Sequence, residues 1–265
     1  MTAADGMVWR EGIAGALSYR VAGTGSNLLL VAGLNGQARF WDAVAPDLAR
    51  SATVAAFDQR GCGATPDDGA EWSIETLARD AADVAEAAFG SAPYTVIGHS
   101  TGGAIAQCMA ATWPDRVAGA VLSGTWIRAD AYMHALFDLR VALLERAPDL
   151  DPALSDLLRN PPDDFRSDAA KVALDPGITI RRIRALLGHD GTRWLDRIAC
   201  PTVVIGAEDD RIVPPRLVAD LHAALPGSGL ELLPAGGHFF PQTQSAAFLR
   251  CVTAWHATLT DATAR

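Results

Sequence analysis

A short apolar run, Tyr94-Thr95-Val96-Ile97, leads into Gly98-His99-Ser100-Thr101-Gly102 and then Gly103-Ala104-Ile105-Ala106-Gln107-Cys108-Met109-Ala110. This order reads as a buried strand, a hard turn and a helix, the setting that a G-x-S-x-G elbow requires. Gly98 and Gly102 fit a turn so tight that a side chain at either position would strike the neighbouring strand or helix. Ser100 is then forced to the apex, its hydroxyl beyond the carboxyl edge of a sheet. The helix starting there aims free N–H groups and the positive end of its dipole at any oxyanion formed on a molecule bound to Ser100. A glycine-rich turn can also hold a serine by accident, so a base and an acid elsewhere must decide.

The rest of the chain supplies the sheet. Residues 7–22 alternate weakly, as in a first hairpin, and Thr24-Gly25-Ser26-Asn27 is a turn. Leu28-Leu29-Leu30-Val31-Ala32 is an apolar run of strand length that ends in Gly33-Leu34-Asn35-Gly36, with a helix expected from near Phe40. Thr53 to Phe57, the elbow strand, Val117 to Leu122, Thr202 to Ile205 and Leu230 to Leu233 read as further strands. Helices are expected from Ser73 to Phe89, after the elbow to Trp113-Pro114, from Pro215 to Leu225 and from Gln242 to Leu259. This alternation predicts an α/β fold: a mostly parallel, doubly wound sheet of about eight strands. The rhythm fails between Thr125 and Ile198, where helical patterns such as Leu136-Phe137-Leu139-Leu143-Leu144 and Ile180-Ile183-Leu186-Leu187 are separated by prolines. The expectation is a core of residues 1–124 and 199–265, with a helical cap, 125–198, over the carboxyl edge of the sheet. With 265 residues, 49% of them hydrophobic, one large core is within reach.

Composition narrows the partners. A net charge of −9 argues against nucleic acid or an anionic membrane. No run approaches the length of a membrane span, and Met1 to Gly6 lack the features of a signal peptide. Cys62, Cys108, Cys200 and Cys251 are scattered without C-x-x-C pairing, so they read as reduced, mostly buried thiols in a cytoplasmic protein. No metal-ligand cluster and no cofactor motif is visible. The expected partner is a small molecule; a homodimer is left open.

Sites in parallel sheets lie beyond the carboxyl ends of the strands. Four loops end there: Gly33-Leu34-Asn35-Gly36, the elbow, Ala207-Glu208-Asp209-Asp210, and Ala235-Gly236-Gly237-His238. A hydroxyl, a carboxylate and an imidazole thus converge. A serine attacks well only when a base takes its proton, and a carboxylate fixes the tautomer of that base. The glycines before His238 demand an unusual backbone, which favours a built role over a solvated loop histidine. Chain position leaves Glu208, Asp209 and Asp210 open, and the two aspartates also compete as caps of the helix near Pro214. The backbone N–H groups of Thr101 and Leu34 are the candidate oxyanion donors. Asn35, Trp126, Met133, Phe137 and Phe239 are candidates for binding a substrate. His99 reads as structural, and His134, His189, His222 and His256 as surface or packing residues. Asp58 and Arg60 read as loop ties, and Arg181, Arg182 and Arg184 as a solvated helix face.

Taken together these residues resemble the α/β-hydrolase fold family over essentially the whole chain. The order Ser100, Asp210, His238 matches the family's nucleophile, acid and histidine order. Asp58-Gln59-Arg60-Gly61-Cys62-Gly63 is similar to its D-x-R-G-x-G loop, and Gly206 to Pro214 to its acid loop. In that family the acid is commonly followed by three residues and then proline, which selects Asp210 and leaves Asp209 as a solvated or capping carboxylate. Trp126-Ile127-Arg128 and Asp196-Arg197-Ile198-Ala199-Cys200-Pro201 resemble the aminoacrylate or carbamate hydrolases of pyrimidine breakdown. The 3-oxoadipate enol-lactone hydrolases are the other likeness. The chain departs from the family in having Ala32 where His often precedes the oxyanion-loop glycine, and Thr101 where Met often follows the serine. The resemblance implies a serine hydrolase of a small ester, lactone or activated amide or carbamate, acting through an acyl-enzyme. The same triad also suits carbon–carbon bond hydrolysis, a cofactor-free haloperoxidase or perhydrolase, and a receptor-like binding protein.

Overall fold

The computed structural model describes residues 8–34, 36–165 and 175–263. Strands β1 (Arg10–Ala14) and β2 (Leu17–Ala22) form the expected hairpin, with Ala14 opposite Leu17. β3 (Ser26–Val31) is followed by a 3-10 turn at Ala38–Trp41 and the one-turn helix α1 (Ala45–Leu48), where a helix from Phe40 was expected. β4 (Ala52–Phe57) and α2 (Ile74–Phe89) come next; the Ser73 hydroxyl caps α2 by accepting from Thr76 N at 3.2 Å. β5 (Tyr94–His99) runs into α3 (Thr101–Thr112) and then β6 (Val117–Ser123).

Between β6 and β7 (Thr202–Ala207) stand α4 (Ala131–Arg146), α5 (Asp151–Arg159) and α6 (Pro176–Leu187), and no named strand occurs among the described residues. Asp130 and Asp175 cap α4 and α6. The two ends of this segment meet: Arg128 bridges Asp190 in antiparallel fashion, and Gly191 N donates to Ile127 O at 2.7 Å. In α4 the buried stripe is Met133, Phe137, Arg140 and Leu144, a spacing of four, three and four residues. Leu139 falls outside that stripe and is 66% exposed, so the expected pattern through Leu139 was wrong at that residue. The chain ends with α7 (Pro215–Ala223), β8 (Gly229–Leu233), α8 (Phe240–Thr243) and α9 (Ser245–Thr263). The single last helix expected from Gln242 is two helices, broken at Gln244.

The eight strands form one sheet in the order β1-β2-β4-β3-β5-β6-β7-β8. The pairs β1–β2 and β2–β4 are antiparallel; every pair from β4 to β8 is parallel. Strands covered on both faces need no polar side, which is why β5 and β7 are wholly buried. Alternate residues serve opposite layers: Leu29 and Val31 join the core under α2 and α3, whereas Leu28 and Leu30 join the core containing Trp41 and Phe248. The elbow strand lies between β3 and β6, so the loops after β3 and β5 open side by side.

Candidate active site

The elbow is dictated by lack of room. An atom in the Cβ position of Gly98 would sit 2.1 Å from Gly102 O, and one on Gly102 would sit 2.1 Å from Val31 O. Ser100, between them, has φ 57° and ψ −123°. Among the described residues it is the one non-glycine residue with positive φ, a conformation that the surrounding structure has to enforce. Ser100 N donates to Ser123 O at 2.8 Å, which ties the apex to β6. Thr101 opens α3, where the first N–H groups have no partner within the helix.

The loop after β3 packs against Ser100. A Cβ on Gly33 would lie 3.0 Å from Ser100 Cβ and 3.2 Å from His99 O, so a side chain there would force these neighbours to give way, and glycine lets the two backbones come close. Gly36 N donates to Gly33 O at 2.9 Å, closing a tight turn through Leu34, which is half-buried. Asn35 lies outside the described residues.

Beyond β7, Asp210 is 4% exposed. Its Oδ1 accepts from Ile212 N and Val213 N, both at 2.8 Å, and its Oδ2 lies 2.7 Å from His238 Nδ1. Asp209 is neither a solvated carboxylate nor a helix cap. It accepts from Gly236 N at 3.2 Å and Gly237 N at 2.8 Å, across to the turn that carries His238. That correction has a physical reason: Gly236 and Gly237 adopt φ 140° and 61°, so their N–H groups leave the strand pattern and need an acceptor. Glu208 is exposed. His238 is buried, with its ring centroid 4.9 Å from that of His99. A bond from His238 Nε2 to Ser100 Oγ is not among the hydrogen bonds of the described residues; such contacts often tighten only when substrate binds.

His99 itself is a packing residue. It stacks on Phe40 at 5.0 Å, its Nδ1 is 3.0 Å from Ser123 Oγ, and burial holds it well below the ordinary imidazole range. His189 is buried between Trp126 and Trp194, and burial lowers it to about 4. Trp126, Met133 and Phe137 are buried in the same apolar cluster as Ile105 and Met109 of α3. Phe239 is half-buried, edge-on to Phe40 at 5.2 Å, with the Arg159 guanidinium 5.1 Å above its ring. Asp58 bridges two loops through Ala38 N and Ala64 N, and Arg60 pairs with Asp80 and Asp68. Among the described residues no group of three or more His, Cys, Asp or Glu could hold a metal, and no helix is long and apolar enough to cross a membrane. The four cysteines are free thiols, Cys62 and Cys108 being buried.

Arg182 overturns the expectation of a solvated helix face. Arg184 is exposed and Arg181 pairs with Asp67, but Arg182 is only 1% exposed. Its guanidinium donates to Leu34 O and Gln59 Oε1, and from Nη2 to Gly33 O at 3.3 Å. Burial pulls the guanidinium below its ordinary value, opposed by Cys62 and Asp80 nearby. The spacing Thr179, Arg182, Ile183, Leu186 is one helical stripe, and it was the signal available for finding this residue.

A family model described as alpha/beta hydrolase fold matches residues 27–182. RutD of Azorhizobium caulinodans, named as a carbamate hydrolase, is 32% identical over 235 residues, which are 84% of this chain and 88% of that protein. BpoC of Mycobacterium tuberculosis H37Rv, named as a non-heme bromoperoxidase, has a TM-score of 0.81 at 27% identity, covering 92% of this chain and 96% of its own. The enol-lactonase of Burkholderia xenovorans LB400 has a TM-score of 0.81 at 21% identity, covering 91% and 96%, and is a likeness of fold.

Proposed function

The chain belongs to the α/β-hydrolase fold family, and from that premise we propose that it is a serine hydrolase of small carbonyl substrates, carbamates first among them. In this reading Ser100 is the nucleophile, His238 the base and Asp210 the acid, with Leu34 N–H and Thr101 N–H as the oxyanion donors. The observation that carries it is the 2.7 Å contact between His238 Nδ1 and Asp210 Oδ2. A carboxylate on that side keeps the proton on Nδ1 and leaves the lone pair of Nε2 for the serine proton.

The reaction then runs in two halves. Ser100 Oγ adds to the carbonyl carbon while its proton passes to His238 Nε2. The carbonyl oxygen becomes an oxyanion between the two backbone donors. His238 returns the proton to the departing alcohol or amine, leaving an acyl- or carbamoyl-serine. Water, deprotonated by the same imidazole, reverses these steps and frees the acid.

Carbamates come first because a relative 32% identical over most of both chains is named for carbamate hydrolysis. Esters and lactones share the mechanism. A second reading is favoured by the likeness to BpoC: hydrogen peroxide in place of water as the acyl acceptor, giving a peracid able to oxidise a halide. The test is turnover of phenyl carbamate, p-nitrophenyl acetate and dihydrocoumarin, with and without peroxide, by the wild-type chain and by Ser100→Ala. The expected result is hydrolysis of the carbamate, reduced about 10³-fold or more in the variant without loss of fold. Most of the activity surviving in Ser100→Ala would overturn the serine mechanism. Peracid formation outrunning hydrolysis would favour the second reading.

A further inference from the structure

Arg182 stands on α6, outside the sheet, yet every side-chain hydrogen bond it makes among the described residues goes to the loops after β3 and β4. Its hydrogen-bond partners are neutral oxygens, and among the described residues it forms no ion pair; Asp80 and Cys62 oppose its burial only through their charge nearby. A buried guanidinium without a carboxylate partner costs stability. An apolar side chain on the same stripe would dock α6 more cheaply, so what the arginine orients is the informative part.

Because the peptide unit is planar and trans, Gly33 C=O and Leu34 N–H point in opposite directions from one rigid plate. The carbonyl end is held by Arg182 Nη2 at 3.3 Å and by Gly36 N at 2.9 Å. The next carbonyl, Leu34 O, accepts from Arg182 Nε. The preceding one, Ala32 O, accepts from Gln59 Nε2 at 2.7 Å, and Gln59 Oε1 in turn accepts from Arg182. Three successive carbonyls are therefore fixed, directly or through Gln59, by one planar fork of donors. Fixing the carbonyls fixes the peptide planes that carry them, the Leu34 N–H included, in a loop whose Gly33 lies against Ser100.

We propose that Arg182 is a positioning residue for the oxyanion hole, so that the helical segment between β6 and β7 supplies part of the catalytic machinery as well as covering it. The inference rests on the assignment of Leu34 N–H as an oxyanion donor. With α6 docked, the donor is preorganised; with α6 displaced, the Gly33–Leu34 peptide is free to rotate and one donor is lost. Arg181 reinforces the docking through its 2.5 Å pair with Asp67 and its guanidinium 4.9 Å over Trp72.

The test uses Arg182→Met, which keeps much of the volume and removes the donors, and Arg182→Lys, which keeps the charge and removes the fork. For p-nitrophenyl acetate, both should lower kcat by about 10²-fold, the order expected for one oxyanion donor, with KM changed far less. The inhibition constant of a trifluoromethyl ketone, whose serine adduct carries the same oxyanion, should weaken by a similar factor. A purely structural arginine predicts a shifted melting temperature with kcat and ketone affinity of the folded protein unchanged, and that result overturns the proposal. Should Arg182→Met not fold, Gln59→Met carries the test, with a kcat loss of at least about fivefold expected and an unchanged kcat contradicting it. Ser100→Ala separates the two levels: an active Ser100→Ala removes the underlying mechanism, whereas an inactive one with fully active Arg182 variants removes this inference alone.

Discussion

The sheet with its elbow and the helical segment between β6 and β7 solve the same packing problem with different materials. α3 buries almost its whole length, and the residues it buries are chiefly small and apolar: Ala104, Ile105, Ala106, Cys108, Met109 and Ala110 among them. α5 buries Ser155, Asp156 and Arg159. Among the described residues the buried arginines are Arg140, Arg159 and Arg182, and all three lie in the helical segment. Arg140 forks onto Asp151 at 2.6 and 2.9 Å and reaches Ser155 Oγ at 2.7 Å, while Arg159 pairs with Asp156. A parallel sheet satisfies its own backbone and presents two apolar faces, so its interior needs no charge. Short helices broken by prolines expose more of their ends and bury less apolar area, so charged hydrogen bonds do more of the fastening. The lesson is a division of labour: apolar packing holds the strands of the sheet, and directional polar contacts hold the helical segment between β6 and β7.

That contrast can be pressed in three places. The largest effect is expected in the sheet's own loops. Asp210→Asn should lower kcat by about 10³- to 10⁴-fold, because the amide favours the wrong imidazole tautomer, while the melting temperature stays close to that of the wild type. A loss below about tenfold would remove Asp210 from the mechanism. In the helical segment the pattern should invert. Asp151→Ala leaves Arg140 buried without its carboxylate and should cost about 3 kcal/mol in urea unfolding, with kcat of the folded protein changed little. An unfolding free energy equal to the wild type would show that the segment is held by something other than its ion pairs. The smallest effect belongs to Asp209. Asp209→Asn keeps an oxygen facing Gly236 N and Gly237 N, so a loss of about 1 kcal/mol and a rate change within about tenfold are expected. Were its rate loss to exceed that of Asp210→Asn, the acid would have to be reassigned.

The same contrast explains what could be read from the amino-acid order. Leu28 to Val31, Thr53 to Phe57 and Thr202 to Ile205 are continuous apolar runs, and an apolar run of strand length has few other uses. Gly98, Ser100 and Gly102 were legible because sterics leave so few ways to build the turn. Arg182 was legible only through its place on the stripe with Thr179, Ile183 and Leu186, since a charged residue between Arg181 and Arg184 on a helix otherwise reads as solvent-facing until the partners folded against it are known. Asp209 failed for a related reason: its acceptors' geometry is answered by Gly236 and Gly237, residues far along the chain. Leu139 erred the other way, an apolar residue in an apolar pattern that the helix turns toward solvent. Local sterics and burial are written in adjacent residues; long-range polar partners are not.

The most direct test of the central claim is the intact mass of the protein after exposure to a fluorophosphonate, for the wild type, Ser100→Ala and His238→Ala. A serine made nucleophilic by His238 predicts a single adduct that maps to Ser100 and is absent from both variants. An adduct of undiminished yield on Ser100→Ala would place the reactive group elsewhere and contradict the account.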